Sequence, residues 1–418
     1  MSAPQETTAP LSGAAEQSRE PPWFTAWVLV ACTGVSILST DLYTPSLPHL
    51  PSLLGSDPET VQLTMSLNLA AYAIAQLAHG PLADRYGRRQ MLLVGMIGFL
   101  IASVGCALAQ NVGGLIAGRI AQGCFSSVSS VVVVIMIREL YAGHRAVKVM
   151  GLYGMAVGLV PAVGPLIGGY VYVLAGWRMN FLLLLPIAAI VLFLVWRLLT
   201  ETGVRDPEAL RPRRVALGYL GLLALPVYWR YLLPLATLFG AMFGFITAGP
   251  FLLIDLMGVA TENYGLWYSL MVLAFIAGSL VATRSASRIQ PDGLVRIGLV
   301  FSCSGGLAFL PVALAGLVTP ASLIACVSFL AFGLGLLFAS GPFCVFDALG
   351  DRPRGPASAL LGALQLAAAS IGSLSVGVFY DGTALPLAVT MAVLSAIGGL
   401  GYLLLGVFAR LTWHTPPM

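Results

Sequence analysis

Apolar positions run along this chain in blocks, almost end to end, separated by short polar interruptions. Crossing about 30 Å of hydrocarbon takes about 20 helical residues. Windows of that length predict twelve spans: 24–48, 61–83, 92–110, 113–138, 147–174, 180–199, 231–256, 264–283, 293–316, 322–346, 356–379 and 384–410. The longest hydrophilic interruption runs from Thr200 to about Tyr228 and contains TETGVRDPEALRPRR. It splits the spans into two sets of six, which predicts an all-α polytopic membrane protein of two parallel six-helix halves around a central cavity. The expected organisation is a disordered cytoplasmic tail (1–22), a first half (23–199), a cytoplasmic linker (200–230), a second half (231–410) and a cytoplasmic tail (411–418).

Composition agrees with the pattern. Hydrophobic residues make up 58% of the 418 and charged residues 9%, against roughly 25% charged in a soluble domain. The first 22 residues carry Glu6, Glu16, Glu20 and Arg19, and resemble neither a secretory signal nor a transit peptide. Lys and Arg gather on cytoplasmic loops. With the N-terminus inside, every Lys and Arg except Arg119, within a span, and Arg178, outside, falls in a cytoplasmic segment or at an inner helix end. Both termini are therefore expected inside. The net charge of +4 reports topology and gives no reason to expect nucleic-acid binding.

The six cysteines lie in apolar spans without a CxxC pair, and the four histidines form no HExxH, so neither a metal nor a cofactor is expected. No nucleophile with a base stands out within the spans, which argues against an intramembrane enzyme. A receptor should carry a sizeable soluble domain, and the loops are too short for one. These short loops and the lack of an NxS/T site fit a bacterial inner membrane.

Ionisable residues inside a membrane are costly and usually face a cavity or a partner. Asp41, in LSTDLYTPSLPHLP, is about seven residues from the outer end of the first span, and Arg119 is about six into the fourth. At 1.5 Å per residue both sit on the order of 10 Å below the outer surface, where they can pair across the cavity or merely hold the first half together. A carboxylate in a partly dry cavity can change its proton occupancy when the cavity closes or the arginine moves. Pro45, Pro48 and Pro51 each remove a backbone donor, weakening or simply ending the helix there.

Asn68, Tyr72 and Gln76 recur at i, i+4 and i+8 on one face of the second span. Such a stripe lines a watery cavity or bonds to neighbouring helices. With Tyr43, Gln122, Phe243, Phe245 and Gln365 they are the candidate cavity residues; the aromatics are equally suited to packing. Asp255 and Asp347 lie near the membrane surfaces, where a solvated carboxylate needs no special explanation. GPLADRYGRR, residues 80–89, places Asp84 and three arginines at the turn between spans two and three. There a carboxylate can meet an arginine or a helix N-terminus, such as the one opening near Gly355 and Pro356.

GPLADRYGRR resembles the GxLxDxxGRR signature of the major facilitator superfamily, and RIAQG, 119–123, its RxxQG element in helix four. PAVGPLIGGY, 161–170, is similar to the GPxxGG element of twelve-helix drug:proton antiporters. DLYTPSLP and GPASALLGALQ, 355–365, resemble the bicyclomycin and chloramphenicol resistance subgroup, and GWRMNF and TET (200–202) also fit. The corresponding loop of the second half, ATRSASRIQPDG, lacks a clear signature.

The resemblance implies that Asp41 and Arg119 couple proton and substrate movement. It makes Gly80, Asp84, Arg85, Gly87, Arg88 and Arg89 a conformational gate, and Pro161, Gly164, Pro165, Gly168 and Gly169 an element associated with antiport. The implied activity is export of a small amphipathic compound or antibiotic in exchange for protons by a monomer in the bilayer. Transport of a sugar or amino acid is the alternative on the same scaffold.

Overall fold

The computed structural model describes residues 21–203, 205–349 and 354–412; of the tails expected over 1–22 and 411–418, residues 1–20 and 413–418 lie outside the described residues. Among the described residues there are helices and no strands. Twelve long helices follow one another: α1 Trp23–Asp41, α2 Pro58–Tyr86, α3 Arg88–Ala107, α4 Val112–Leu140, α5 Gly143–Ala175, α6 Trp177–Leu198, α7 Pro226–Leu256, α8 Thr261–Ser285, α9 Pro291–Leu314, α10 Pro320–Ala348, α11 Arg354–Val378 and α12 Leu385–Thr412. A shorter helix, Pro212–Leu223, lies in the linker.

Local chemistry sets many of the boundaries. Proline occupies the first turn of α2, α7, α9 and α10, where its missing N–H breaks no helical bond. Asp57 caps α2 through the Thr60 amide, and bonds from that amide and the Thr60 hydroxyl hold its carboxyl below the usual range. Asn111 caps α4, and Thr319 with Ser322 forms a reciprocal cap on α10.

Among the described residues, eleven segments are long and apolar enough to cross a membrane. The expected twelfth, α2, has the length, 29 residues, but is more polar than the rest. Its polar side chains are buried against α4 and α11: the Asn68 amide donates to the Arg119 carbonyl at 2.7 Å, Ser66 meets Ser373 at 2.8 Å, and His79 meets Ser127 at 2.8 Å. Interhelical bonds of this kind replace the lipid contact that hydropathy measures.

Helices α1 to α6 pack chiefly among themselves, as do α7 to α12, and the principal contacts between the two sets are α2 with α11 and α5 with α8. Glycine permits the closest crossings. A methyl at Gly372 would lie 2.1 Å from the Gly240 carbonyl oxygen, and one at Gly333 2.2 Å from that of Gly298. One apolar core belongs to the first set alone. Another joins Tyr43, Met65 and Phe181 to Phe245, Tyr268 and Phe309 of the second set. The two bundles are thus sealed together at the end of the molecule opposite the arginine-rich turns.

Candidate transport site

Asp41 is the last residue of α1, not a position seven residues inside it. From Thr44 to His49 the chain tightens into a 3₁₀ helix with Pro45 in its first turn and Pro48 within it, and Leu50–Leu54 follows as a short α-helical turn with Pro51 in its opening. A proline cannot donate the backbone bond that an α-helix needs, so three in seven residues end α1 inside the protein. The Thr44 hydroxyl answers the Asp41 carbonyl at 2.8 Å.

The Asp41 side chain is 5% exposed and lies where α1 meets α5 and α8. A methyl at Gly164 of α5 would fall 2.6 Å from the Asp41 Cβ. The Tyr268 hydroxyl of α8 donates to Asp41 Oδ1 at 3.5 Å, the long limit of a hydrogen bond. Fully buried Tyr264 lies one helical turn away, its ring centroid 5.9 Å from that of Tyr268. Sequence reasoning missed both tyrosines. Their i, i+4 spacing in ENYGLWYSL was a signal, but aromatic residues are common in every span.

The ion pair open to Asp41 and Arg119 is not formed: the two are not within salt-bridge distance, and the Asp41 carboxylate meets Tyr268 instead. Arg119 is completely buried, and its guanidinium serves other groups: Nη1 donates to Gln122 Oε1 at 2.6 Å and to the Ser39 carbonyl at 3.2 Å, and Nη2 approaches Met65 Sδ at 3.6 Å. Its Cζ is 5.0 Å from the Tyr43 ring centroid, a cation–π distance. The early end of α1 supplies that carbonyl acceptor and leaves the carboxylate on the α8 side. Among the described residues, the buried Arg119 Nε has no hydrogen-bond partner.

The helix-five motif explains how these elements come so close. A methyl at Gly168 would lie 2.1 Å from the Leu42 carbonyl oxygen, and one at Gly169 2.6 Å from that of Thr261 at the start of α8. Pro161 and Pro165 sit inside α5, and the Ser269 hydroxyl of α8 donates to the carbonyl of Ala162 at 2.8 Å. The small residues form one seam where α1, α5 and α8 touch backbone to backbone.

The candidate cavity residues separate into distinct roles. Gln122 is fully buried, its amide held by Arg119 and by Ser103 Oγ at 2.9 Å. Tyr43 is buried, its hydroxyl on Thr64 at 2.7 Å and its ring against Phe181. Asn68 is spent on the α2–α4 contact described above. Phe245 is buried beside Tyr268, and half-buried Phe243 packs against Phe239 with ring centroids 4.8 Å apart and the planes tilted by 58°. Tyr72 is half-buried, and Gln76 and Gln365 are buried. The carbonyl oxygen of Gln76 and both amide atoms of Gln62, one polar position along α2 that the stripe did not include, have no hydrogen-bond partner among the described residues. Asp255 and Asp347 are exposed.

At the other end, Asp84 pairs with Arg88 at 2.7 Å, and Arg88 Nε reaches Glu139 of α4 at 3.2 Å. Arg85 donates to the Pro207 carbonyl, and Arg89 to that of Trp196 at 2.6 Å. The amides of Arg88 and Arg89 donate to Glu201 Oε1 at 2.6 and 3.3 Å, so a linker carboxylate caps α3. Gly87 makes the turn at φ 106°, and a methyl there would meet Glu201 Oε2 at 2.4 Å. That cap needs glycine twice over, for conformation and for space. Gly80 has nothing within 4 Å of an added methyl. The expected meeting of Asp84 with the helix start near Gly355 and Pro356 involves side chains outside the described residues. Glu201 was visible only as part of TET, where nothing in the sequence marks it as a cap. Glu201→Ala should lower stability by about 1 kcal/mol, the usual worth of an N-cap, read as a lower melting temperature of the detergent-purified protein.

Comparison with known proteins accords with this architecture. The chloramphenicol resistance protein of Pseudomonas aeruginosa is 34% identical over 269 residues, 63% of this chain and 62% of that protein. A bicyclomycin resistance protein homolog of Haemophilus influenzae is 28% identical over 372 residues, 87% of this chain and 91% of its own length. Among solved structures, a D-xylose-proton symporter matches with a TM-score of 0.70 at 17% identity, covering 92% of this chain and 97% of that one; this similarity speaks to the fold alone. The family model described as Major Facilitator Superfamily matches residues 29–373, and the chain belongs to that superfamily.

Proposed function

We propose that this transporter is a drug:proton antiporter of the bicyclomycin and chloramphenicol resistance type, exporting small amphipathic compounds by alternating access. The observation that carries the reading is the carboxyl of Asp41, buried on the last turn of α1 and in contact with Tyr268 of the opposite bundle. A proton there changes the charge of a dry seam between two bodies that must part and rejoin. Charge in such a seam favours opening to water, and neutralisation favours closure. The relatives named for chloramphenicol and bicyclomycin resistance support the substrate class.

In this reading the arginine-rich turns face the cytoplasm, both termini are inside, and the membrane is a bacterial inner membrane. The chain works as a monomer and catalyses no covalent chemistry. Residues 23–199 and 231–410 are the two moving halves, the Asp84–Arg88–Glu139 cluster with its Glu201 cap acts as their inner gate, and the Asp41 seam is the outer one. Arg119 acts indirectly, holding the end of α1 in place and setting the field around Asp41.

One proton moving through 100 mV supplies about 2.3 kcal/mol, and every 1.4 kcal/mol is tenfold, so one proton per neutral substrate sustains roughly a fortyfold gradient. The test is chloramphenicol movement in proteoliposomes under an imposed proton gradient. Accumulation that collapses with a protonophore supports antiport. Accumulation indifferent to the gradient, or movement of sugars or amino acids in place of the drug, overturns it.

A further inference from the structure

A cavity of about 730 Å³ lies away from the transport seam, on the outer face of the second bundle between α9, α12 and the start of α7. One end is ionic. Asp292 is shared by Arg296, at 2.7 Å, and Arg230, at 3.6 Å. It also accepts from the hydroxyls of Tyr402 and Tyr231 at 2.6 and 3.0 Å. One carboxylate between two guanidiniums leaves a net positive charge. The Arg230 side chain is 17% exposed, its buried Nε without a partner among the described residues, and the Arg296 side chain is 57% exposed.

The rest of the cavity is apolar. Val300, Leu307, Leu400, Leu403 and Val407 line it and are exposed. Gly399 and Gly406 keep its floor open, and a methyl at Gly406 would lie 3.3 Å from the Arg230 guanidinium carbon. The groove therefore runs from a cationic head, at the arginine-rich end of the bundle, along an apolar trough parallel to the helices.

We propose that this groove binds an anionic phospholipid, its phosphate on Arg230 and Arg296 and an acyl chain along α9 and α12. Charge complementarity selects the occupant: a guanidinium with free donors suits a phosphate oxygen, and basic pockets between membrane helices hold anionic headgroups. A zwitterionic lipid brings its own cation to an already positive site. A free phosphate ester leaves the trough empty.

The test is native mass spectrometry of the full chain from mixed phosphatidylglycerol and phosphatidylcholine vesicles, beside R230Q, R296Q and the trough-filling Val300→Trp. Wild type should retain phosphatidylglycerol about tenfold over phosphatidylcholine. Arg296→Gln, at a half-exposed position, should erase the preference without changing the melting temperature, and Val300→Trp should lower retention of both lipids. Equal retention of the two lipids by wild type, or an unchanged preference in both arginine variants, would overturn the proposal. Binding of glycerol phosphate as tight as that of the lipid, or displacement of the lipid by chloramphenicol, would also overturn it, since the site would then serve a soluble anion or the drug.

Discussion

Asp41→Asn should abolish uphill drug transport, reducing the roughly fortyfold gradient calculated from one proton at 100 mV to none, while downhill exchange of labelled drug continues. Asparagine keeps the size of the side chain and its acceptor toward the Tyr268 hydroxyl, so the seam of α1, α5 and α8 should still close. What it loses is the change of charge. The measurement is paired: accumulation under a proton gradient, and equilibrium exchange without one. Loss of the first with retention of the second assigns coupling to Asp41. Normal pumping by the variant would make the aspartate structural and move the proton to Asp255, Asp347 or no side chain named here. Loss of both activities with a lowered melting temperature would show a packing role.

Gly168→Leu should be the most damaging single substitution in the helix-five seam. The obstacle is backbone: the added Cβ would lie 2.1 Å from the carbonyl oxygen of Leu42 and 2.8 Å from its carbonyl carbon. No rotamer change relieves such a clash, so α1 and α5 must separate. Overpacked interiors typically lose 1–3 kcal/mol, and the upper end, about 3 kcal/mol, is expected here. A lower melting temperature and loss of transport would follow, because the displaced end of α1 carries Asp41. Gly80→Ala supplies the contrast. Nothing lies within 4 Å of its added methyl, and alanine favours a helix over glycine by about 1 kcal/mol, so its melting temperature should hold or rise. Equal damage from both substitutions would show that the motif glycines matter as helix breakers and not as contact points.

Much of this architecture was legible because a bilayer restricts what a chain can do. Backbone groups in hydrocarbon must bond within their own segment, so apolar blocks of about 20 residues predict helices without knowledge of their neighbours. The same reasoning undervalued how far α2 departs from an apolar helix: its Asn68 and Ser66 are matched by partners on α4 and α11 that a linear window does not see. The arginine-rich turn was readable for a different reason, since Asp84, Gly87 and Arg88 lie within five residues and their spacing carries their geometry. Glu201, 113 residues from the amide it caps, carried no such mark.

For the transport site, the sequence determined its components: a carboxylate where ionisable groups are costly, three prolines to end the helix after it, and small residues at a spacing that opens one face of α5. Tertiary structure decided the pairings. It turned Arg119 toward Gln122, Ser39 and Tyr43, and gave Asp41 to Tyr268, 227 positions away. The physical reason is that desolvation cost depends on residue type and can be read locally, whereas hydrogen bonds and clashes depend on ångström separations between helices. Those separations are fixed only once glycine seams such as Gly168 on Leu42 have brought the backbones together.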